Sequence, residues 1–186
     1  MFSGIFFKDK ATIRNIANIG MLLLLVANIA EMKGYQFFHV NTNHLLQFSK
    51  FGLLFNSIAF GSTFVFMLLS GTDIEKVGVN VAEYFALIFF VLCGVAIVSS
   101  YNSLLMLFLG IEIISIPLYI LTGSDKRNLK SNEASLKYFL MGSFSTGIML
   151  MGITLIYGAK ASFSLDGMSA AVYPVFELWF TTGLLL

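Results

Sequence analysis

Long apolar runs separated by short polar stretches dominate the chain. A bilayer hydrocarbon core is about 30 Å thick, so a helix needs roughly 20 mostly apolar residues to cross it. The chain has five apolar runs of about this length, and a sixth, shorter run begins near Val175 and ends at Leu186. The pattern therefore predicts an all-α fold, a polytopic transmembrane helix bundle with about five full spans plus the start of a sixth. The five predicted spans cover residues 13–30, 51–70, 81–99, 104–122 and 133–157.

The pattern predicts a single membrane domain over residues 1–186, because no linker or soluble segment interrupts it. The last run is too short to cross a bilayer. We therefore expect an incomplete portion of a longer subunit, with a re-entrant or interfacial helix as the alternative. Glu31 and Lys33 follow the first run where a cleavage site would need small residues, which favours an ordinary first span over a cleaved signal peptide.

The positions of lysine and arginine predict the orientation, because these residues are enriched in cytoplasmic loops. Five complete spans place the N-terminus and the loops at 71–80 and 123–132 on one side. We expect this side, with the N-terminus and loop 123–132, to be cytoplasmic. It carries Lys8, Lys10, Arg14, Lys76, Lys126, Arg127 and Lys130, and the other side carries Lys33, Lys50 and Lys160.

Composition agrees with a membrane protein, because 58% of the residues are hydrophobic and 11% are charged, against about 25% charged in soluble domains. The net charge of +1 provides no basic surface for nucleic acid. The sequence has no GxGxxG or Walker pattern, so we expect no directly bound nucleotide. Cys93 is the single cysteine, and His39 and His44 lack metal-ligand spacing, so we expect no metal site.

Glu112 is an acid in the middle of the fourth predicted span. It precedes Thr122 by ten residues, which is about 15 Å along a helix and too deep for its short side chain to reach water. Ionisable residues at this depth usually face the bundle interior or a water cavity. We therefore favour a role in a proton path over the alternative of a neutral acid that only bonds a neighbouring helix.

Pro117 lies five residues after Glu112 in the same span. Proline has no N–H, so the carbonyl of Ile113 loses its helical partner and the helix is expected to kink. The freed acceptor is one residue from Glu112, which makes Pro117 a candidate supporting residue. A tolerated packing kink, which is common in membranes, is the alternative.

Lys137 lies about 8 Å inside the fifth predicted span and is a second candidate proton-path residue. Its alternative role is to extend its amine to the membrane surface. Glu133 lies four residues earlier and is a candidate supporting residue that could form an ion pair with Lys137. The alternative is that Glu133 is an acid in the first turn of the helix, after the capping residues Ser131 and Asn132. The short fourth loop makes the two spans antiparallel neighbours, so Glu112 and Lys137 are candidates for a coupled acid–base pair.

Two segments carry a family resemblance: LFLGIEIISIPLYILTG at 107–123 and NEASLKYFLMGSFSTGIMLMGITLIYGA at 132–159. Together they resemble the subunit N family of bacterial NADH-quinone oxidoreductase, respiratory complex I. The GIE-x-x-S-x-P-LY pattern alone fits several antiporter-like subunits, and the EAS-x-KY start that follows it favours subunit N. The resemblance extends over about 81–164 and is looser before that.

The resemblance implies an antiporter-like subunit that moves protons in the bacterial inner membrane, with the other membrane subunits of complex I and the lipid bilayer as partners. Glu112 matches the mid-membrane acid of this family, and Lys137 matches a lysine of the conduction path. The resemblance implies no cofactor in this chain, and it assigns NADH, FMN, iron–sulfur clusters and quinone to the rest of the complex. A full family member has about fourteen helices in inverted repeats, so this chain resembles part of the first repeat, without the lysine that opposes the acid.

Three functions follow from these observations. The first is a proton-translocating membrane subunit of NADH-quinone oxidoreductase, an enzyme complex whose redox site lies outside this chain. The second is a subunit of a multisubunit sodium/proton antiporter. The third is a structural membrane subunit in which Glu112 and Lys137 only hold helices together.

Overall fold

A computed structural model of the protein describes residues 9–35, 45–77, 81–165 and 177–186, apart from the side chains of 71–77. The described residues form six α-helices. These are α1 (Lys10–Met32), α2 (Lys50–Val77), α3 (Val81–Ser99), α4 (Leu104–Thr122), α5 (Leu129–Lys160) and α6 (Glu177–Leu185). His39 and His44 lie outside the described residues.

Helices α1 to α5 are each long and apolar enough to cross a membrane. The predicted bundle of five spans is therefore confirmed, and the bounds of α3 and α4 match the predicted runs. The polar break at 99–103 ends the helical hydrogen bonding of α3, and α4 begins directly after it. The sixth run contains the nine-residue helix α6.

The predicted end of the second span was wrong as a helix boundary. We expected a polar loop over 71–80, but α2 continues to Val77. The residues after Ser70 include few helix breakers, and a helix can continue beyond the lipid while its polar side chains meet water. The apolar window of α2 still ends at Ser70.

The start of the fifth span also differs from the prediction. Helix α5 begins at Leu129, and the side chain of Asn128 accepts a hydrogen bond from the N–H of Lys130 at 3.0 Å. Ser131 and Asn132 therefore lie inside the helix and are not its caps. Glu133 is consequently not a first-turn acid, because the first turn of α5 contains no acidic residue.

The first three helices share a buried apolar cluster in which Met21 of α1 and Met67 of α2 are fully buried, and Phe85 of α3 is 2% exposed. Helix α4 packs against α3, α5 against α4, and α6 against α5. The last three helices therefore extend from the three-helix cluster one after another.

A buried asparagine joins α1 to α2. The side-chain amide of Asn28 donates to the carbonyl of Leu53 at 3.1 Å and to the hydroxyl of Ser57 at 2.9 Å. Lipid offers no hydrogen bonds, so polar side chains between helices bond across the interface. This contact fixes α1 relative to α2 near one end of the bundle.

The connections at that end are joined by backbone hydrogen bonds. Gln47 donates its N–H to Ser100 at 2.7 Å, and Leu104 donates its N–H to Phe163 at 2.9 Å. The connections before α2, between α3 and α4, and after α5 therefore meet at the end of the bundle opposite the loop at 123–128.

We predict that Asn28→Leu lowers the free energy of unfolding of the detergent-solubilised protein by about 1 kcal/mol, because leucine has a similar shape but cannot form the two interhelical bonds. Equilibrium unfolding in mixed micelles measures the change. Ser62→Ala is the control, since the Ser62 hydroxyl bonds only the carbonyl of Ala59 in its own helix. Equal stabilities for the two variants would contradict this role of Asn28.

Candidate functional site

Glu112 lies at the middle of α4, which has 19 residues from Leu104 to Thr122. The rise of an α-helix places it about 12 Å from one end and about 15 Å from the other. Its side chain is half-buried. Within the part of the chain that the structure describes, no hydrogen bond or ion pair engages the Glu112 carboxyl group.

The rotation of α4 is set by a close approach to α3. A Cβ atom added to Gly94 of α3 would lie 2.6 Å from Cγ1 of Ile114 and 2.9 Å from the carbonyl oxygen of Gly110. A Cβ added to Gly110 would lie 2.6 Å from Cγ2 of Val98. The two backbones are therefore close enough that Gly110 faces α3.

The opposite face of α4 packs against α5. The Tyr119 hydroxyl lies over Gly142 of α5, where a Cβ atom would overlap it. The Tyr119 ring meets Tyr138 and Phe139 edge to face, with centroids 4.9 Å and 5.7 Å away. Aromatic pairs favour this geometry. Tyr119 therefore anchors α4 on α5.

Glu112 shares the α5-facing side of α4. It lies two residues from Gly110, a turn of about 200°, and therefore points away from α3. It lies seven residues from Tyr119, nearly two full turns, and so shares the face of that residue. The acid is directed into the interface between α4 and α5.

The register of α4 and α5 identifies the residue opposite the acid. The helices run antiparallel, and a Cβ atom on Gly123 would lie 2.8 Å from the Ser135 hydroxyl oxygen. Eleven residues separate Glu112 from Gly123, and eleven separate Ser135 from Thr146. Thr146 is therefore level with Glu112. It is half-buried, and its hydroxyl donates to the carbonyl of Ser143 at 3.2 Å.

The structure does not bring Lys137 to Glu112. Two residues separate Lys137 from Ser135, a turn of about 200°, so the lysine lies on the face of α5 directed away from α4. It is level with Leu121, about 14 Å along the axis from Glu112. The two side chains are therefore not in contact, because the spacing sets the depth of both residues but not the rotation of α5, and a coupling between them stays a prediction.

Lys137 instead pairs with Glu133. The amine and carboxylate are 2.5 Å apart, and the side chains are 72% and 63% exposed. This confirms the ion pair predicted from the four-residue spacing. Residues 138–159 carry no charged side chain and are about 33 Å long in a helix. Lys137 and Lys160 therefore lie at opposite boundaries of the apolar part of α5.

Pro117 is buried within α4, and the helix continues through it to Thr122. The missing N–H of proline leaves the carbonyl of Ile113 without its usual helical donor. The side chain of Ser115 donates to the carbonyl of Ile111 at 2.8 Å. In the turn after Glu112, the carbonyl of Ile113 is therefore an acceptor to which no backbone N–H of α4 donates in the usual helical pattern.

Two polar residues of this interface, Tyr119 and Thr146, were not predicted from the sequence. The seven-residue interval from Glu112 to Tyr119 was available as a signal, but Thr146 required the helix register. Gly142 and Gly152 of α5 both make close contacts that a side chain would obstruct. Gly147 does not, because nothing lies within 4 Å of a Cβ atom there.

In the described parts of the chain, no group of three or more histidine, cysteine, aspartate or glutamate side chains is arranged to hold a metal ion. Cys93 is exposed on the surface of α3. The expectation that the chain binds no metal stays a prediction.

Residues 101–186 match the family described as NADH:quinone oxidoreductase/Mrp antiporter, TM. The NADH-quinone oxidoreductase subunit N of Flavobacterium johnsoniae is 38% identical over 169 residues, which cover 90% of this chain and 36% of the relative. Subunit N of Cytophaga hutchinsonii is 45% identical over 132 residues, which cover 67% of this chain and 29% of the relative. This chain therefore spans about a third of the length of these relatives.

Two solved structures share the fold. A chain of respiratory complex I from Thermus thermophilus with bound aureothin matches with a TM-score of 0.72 and 22% identity over 99% of this chain and 39% of that chain. A chain of the membrane-bound sulfane sulfur reductase, an archaeal respiratory membrane complex, matches with a TM-score of 0.74 and 22% identity over 94% of this chain and 37% of that chain. These likenesses concern the fold alone.

We predict that Gly142→Ala destabilises the protein by about 1–3 kcal/mol, because the new methyl group overlaps the Tyr119 hydroxyl and forces the two helices apart. Thermal unfolding in detergent measures the effect. Gly147→Ala, on the same helix with open space around it, serves as the control and should leave stability unchanged or slightly higher. A smaller loss for Gly142→Ala than for Gly147→Ala would contradict the contact.

We also predict that cysteines at Gly123 and Ser135 form a disulfide on mild oxidation, whereas cysteines at Glu112 and Lys137 do not. The first pair lies in direct contact, and the second is about 14 Å apart along the axis, beyond disulfide reach. Gel mobility before and after reduction reports the bond, in a Cys93→Ser background. A disulfide in the second pair would overturn the register.

Proposed function

Because residues 101–186 match the family described as NADH:quinone oxidoreductase/Mrp antiporter, TM, we propose that this chain is part of a proton-translocating membrane subunit of an NADH-quinone oxidoreductase. The subunit N relatives support this assignment, although the chain covers about a third of their length. In this proposal the complete subunit couples electron transfer from NADH to quinone to the movement of protons across the membrane.

The position of Glu112 is the observation that carries the proposal. A charged carboxylate near the bilayer centre is costly, and ionisable residues at such a depth usually mark ion or proton paths. The described residues leave this carboxyl group without a hydrogen-bond partner, in the interface between α4 and α5. Glu112 therefore takes up a proton from one side of the membrane and releases it when the charge of its surroundings changes.

Lys137, Glu133 and Pro117 have supporting roles in this proposal. The ion pair of Glu133 and Lys137 lies at the boundary of α5 near the loop at 123–128, on the side of the membrane that this proposal makes cytoplasmic. Pro117 leaves the Ile113 carbonyl available as an acceptor beside the acid. These residues act around Glu112, and Lys137 is not its direct partner.

The remaining parts of the proposal concern the assembly. NADH, FMN, iron–sulfur clusters and quinone act elsewhere in the complex, and this chain supplies no redox group. Its partners are the other membrane subunits and the lipid bilayer. We place it in the bacterial inner membrane with its N-terminus in the cytoplasm, because seven basic residues lie on that side against three on the other.

A sodium/proton antiporter subunit is the second candidate, since the family description includes the Mrp antiporters. A subunit N function is favoured because the two curated relatives compared above both carry that name. The two functions differ in their energy source. Proton movement driven by NADH oxidation supports the first, and sodium-dependent proton exchange without NADH supports the second.

We predict that Glu112→Gln in the complete subunit lowers the proton transport it carries by about tenfold or more, because glutamine keeps the size and polarity of the side chain but cannot exchange a proton. The assembled complex in proteoliposomes, energised with NADH and quinone, provides the measurement through an internal pH dye. Native gels measure assembly in the same preparations.

Glu31→Gln is the matched control, because Glu31 lies at the end of α1 where water is accessible. It should leave both transport and assembly unchanged. Normal transport by an assembled Glu112→Gln complex would refute the carrier role. Loss of the assembled complex in Glu112→Gln alone would favour a purely structural subunit.

A further inference from the structure

We infer that Tyr119 relays protons between Glu112 and the end of the bundle that carries the 123–128 loop. This inference rests on the proposed proton-carrier function of Glu112. It assigns the first step of that path to the α4–α5 interface, through a phenol hydroxyl and the water next to it.

The position of the Tyr119 hydroxyl supports this role. The hydroxyl lies over Gly142, which is seven residues beyond Ser135 on α5. In the antiparallel register that level matches Ile116, four residues from Glu112, which is about 6 Å along the axis. Side chains on a helix lean toward its N-terminus, so Tyr119 leans toward the turn of Glu112.

The Tyr119 hydroxyl is available for this task. Among the residues that the structure describes it makes no hydrogen bond, although its ring is held by Tyr138 and Phe139. Buried tyrosine hydroxyls ordinarily find a partner. A half-buried, immobilised phenol with a free hydroxyl in an apolar span is therefore suited to bind a water molecule.

Thr146 is a second polar residue on the same face of α5. Gly142 has no side chain, and the next residue on this face of α5 is Thr146, level with Glu112. Its hydroxyl donates to the Ser143 carbonyl and retains acceptor capacity. Tyr119 and Thr146 therefore place two hydroxyl groups on the side of the interface that Glu112 faces.

The transfer step balances without any co-reactant except water. The phenol O–H of Tyr119 donates its proton to the bridging water, and that water passes one of its protons to the Glu112 carboxylate. Tyr119 then accepts a proton from a hydronium ion that arrives from the side of the 123–128 loop, which leaves neutral water behind. The phenol and the bridging water are restored, and Glu112 becomes a neutral carboxylic acid.

Polar groups continue from Tyr119 to the end of the bundle. The hydroxyl of Ser131 donates to the carbonyl of Thr122 at 2.7 Å, and Ser135 contacts Gly123. Lys137 lies on the other side of α5 and is not on this route. The proton entry route therefore follows the inner face of α5.

The test is Tyr119→Phe in the complete subunit within the assembled complex. Phenylalanine keeps the ring contacts with Tyr138 and Phe139 but removes the hydroxyl. We expect NADH-driven proton transport through the subunit to fall about tenfold, less than the roughly hundredfold or more that a positioned acid or base contributes, with assembly unchanged. The solvent deuterium isotope effect on transport should also rise, which a packing defect alone would not cause.

Tyr138→Phe is the matched control, because it removes a hydroxyl from the same aromatic cluster at a residue that is 44% exposed. It should transport protons normally. A defective Glu112→Gln with normal Tyr119→Phe would overturn the relay and leave the proposed function intact. Normal transport in Glu112→Gln would refute the proposed function itself. If Tyr119→Phe fails to assemble, Thr146→Val tests the same water, and normal transport by that variant overturns the relay.

Discussion

The close approach of α3 and α4 at Gly94 and Gly110 determines where the mid-membrane acid points. A side chain at either glycine would meet the neighbouring helix within 3 Å, so the contact allows one rotation of α4 about its axis. In that rotation Glu112 faces α5. The cluster of α1 to α3 holds α4 in this position, because α4 packs against α3. The direction in which the Glu112 side chain points thus depends on Gly94 and Gly110, two residues without polar side chains.

The ionisable side chains of α4 and α5 lie in two different environments. The Glu133–Lys137 pair is exposed at the boundary of an apolar stretch about 33 Å long, where each charge has a partner and access to water. Among the described residues, Glu112 has no such partner at the centre of α4. The centre of the span is the more costly of the two environments, and acids at such positions usually serve a function other than stability.

The sequence patterns predicted how far along its helix each residue lies, but not which face of the helix meets its neighbour. The ends of α3 and α4 were correct because apolar runs stop there at residues that also end the helical hydrogen bonding. The ends of α2 and α5 were wrong because hydropathy marks where lipid ends, and a helix can continue into water. The same limit applies to the candidate site. The depth of Glu112 followed from counting residues, but the partner of Lys137 depended on which face of α5 meets α4.

That face could not be inferred from hydrophobicity, because spans in lipid are apolar on nearly every side. The informative residues were small ones in specific places. Gly110 lies two residues before the acid and marks the face away from it, while Gly142 leaves room for Tyr119. Once these contacts fix the rotation and register, Glu112, Tyr119 and Thr146 fall on one interface. A proton path that passed through Lys137 would have to cross α5, whereas the α4–α5 interface leads from the acid to the 123–128 loop without crossing a helix.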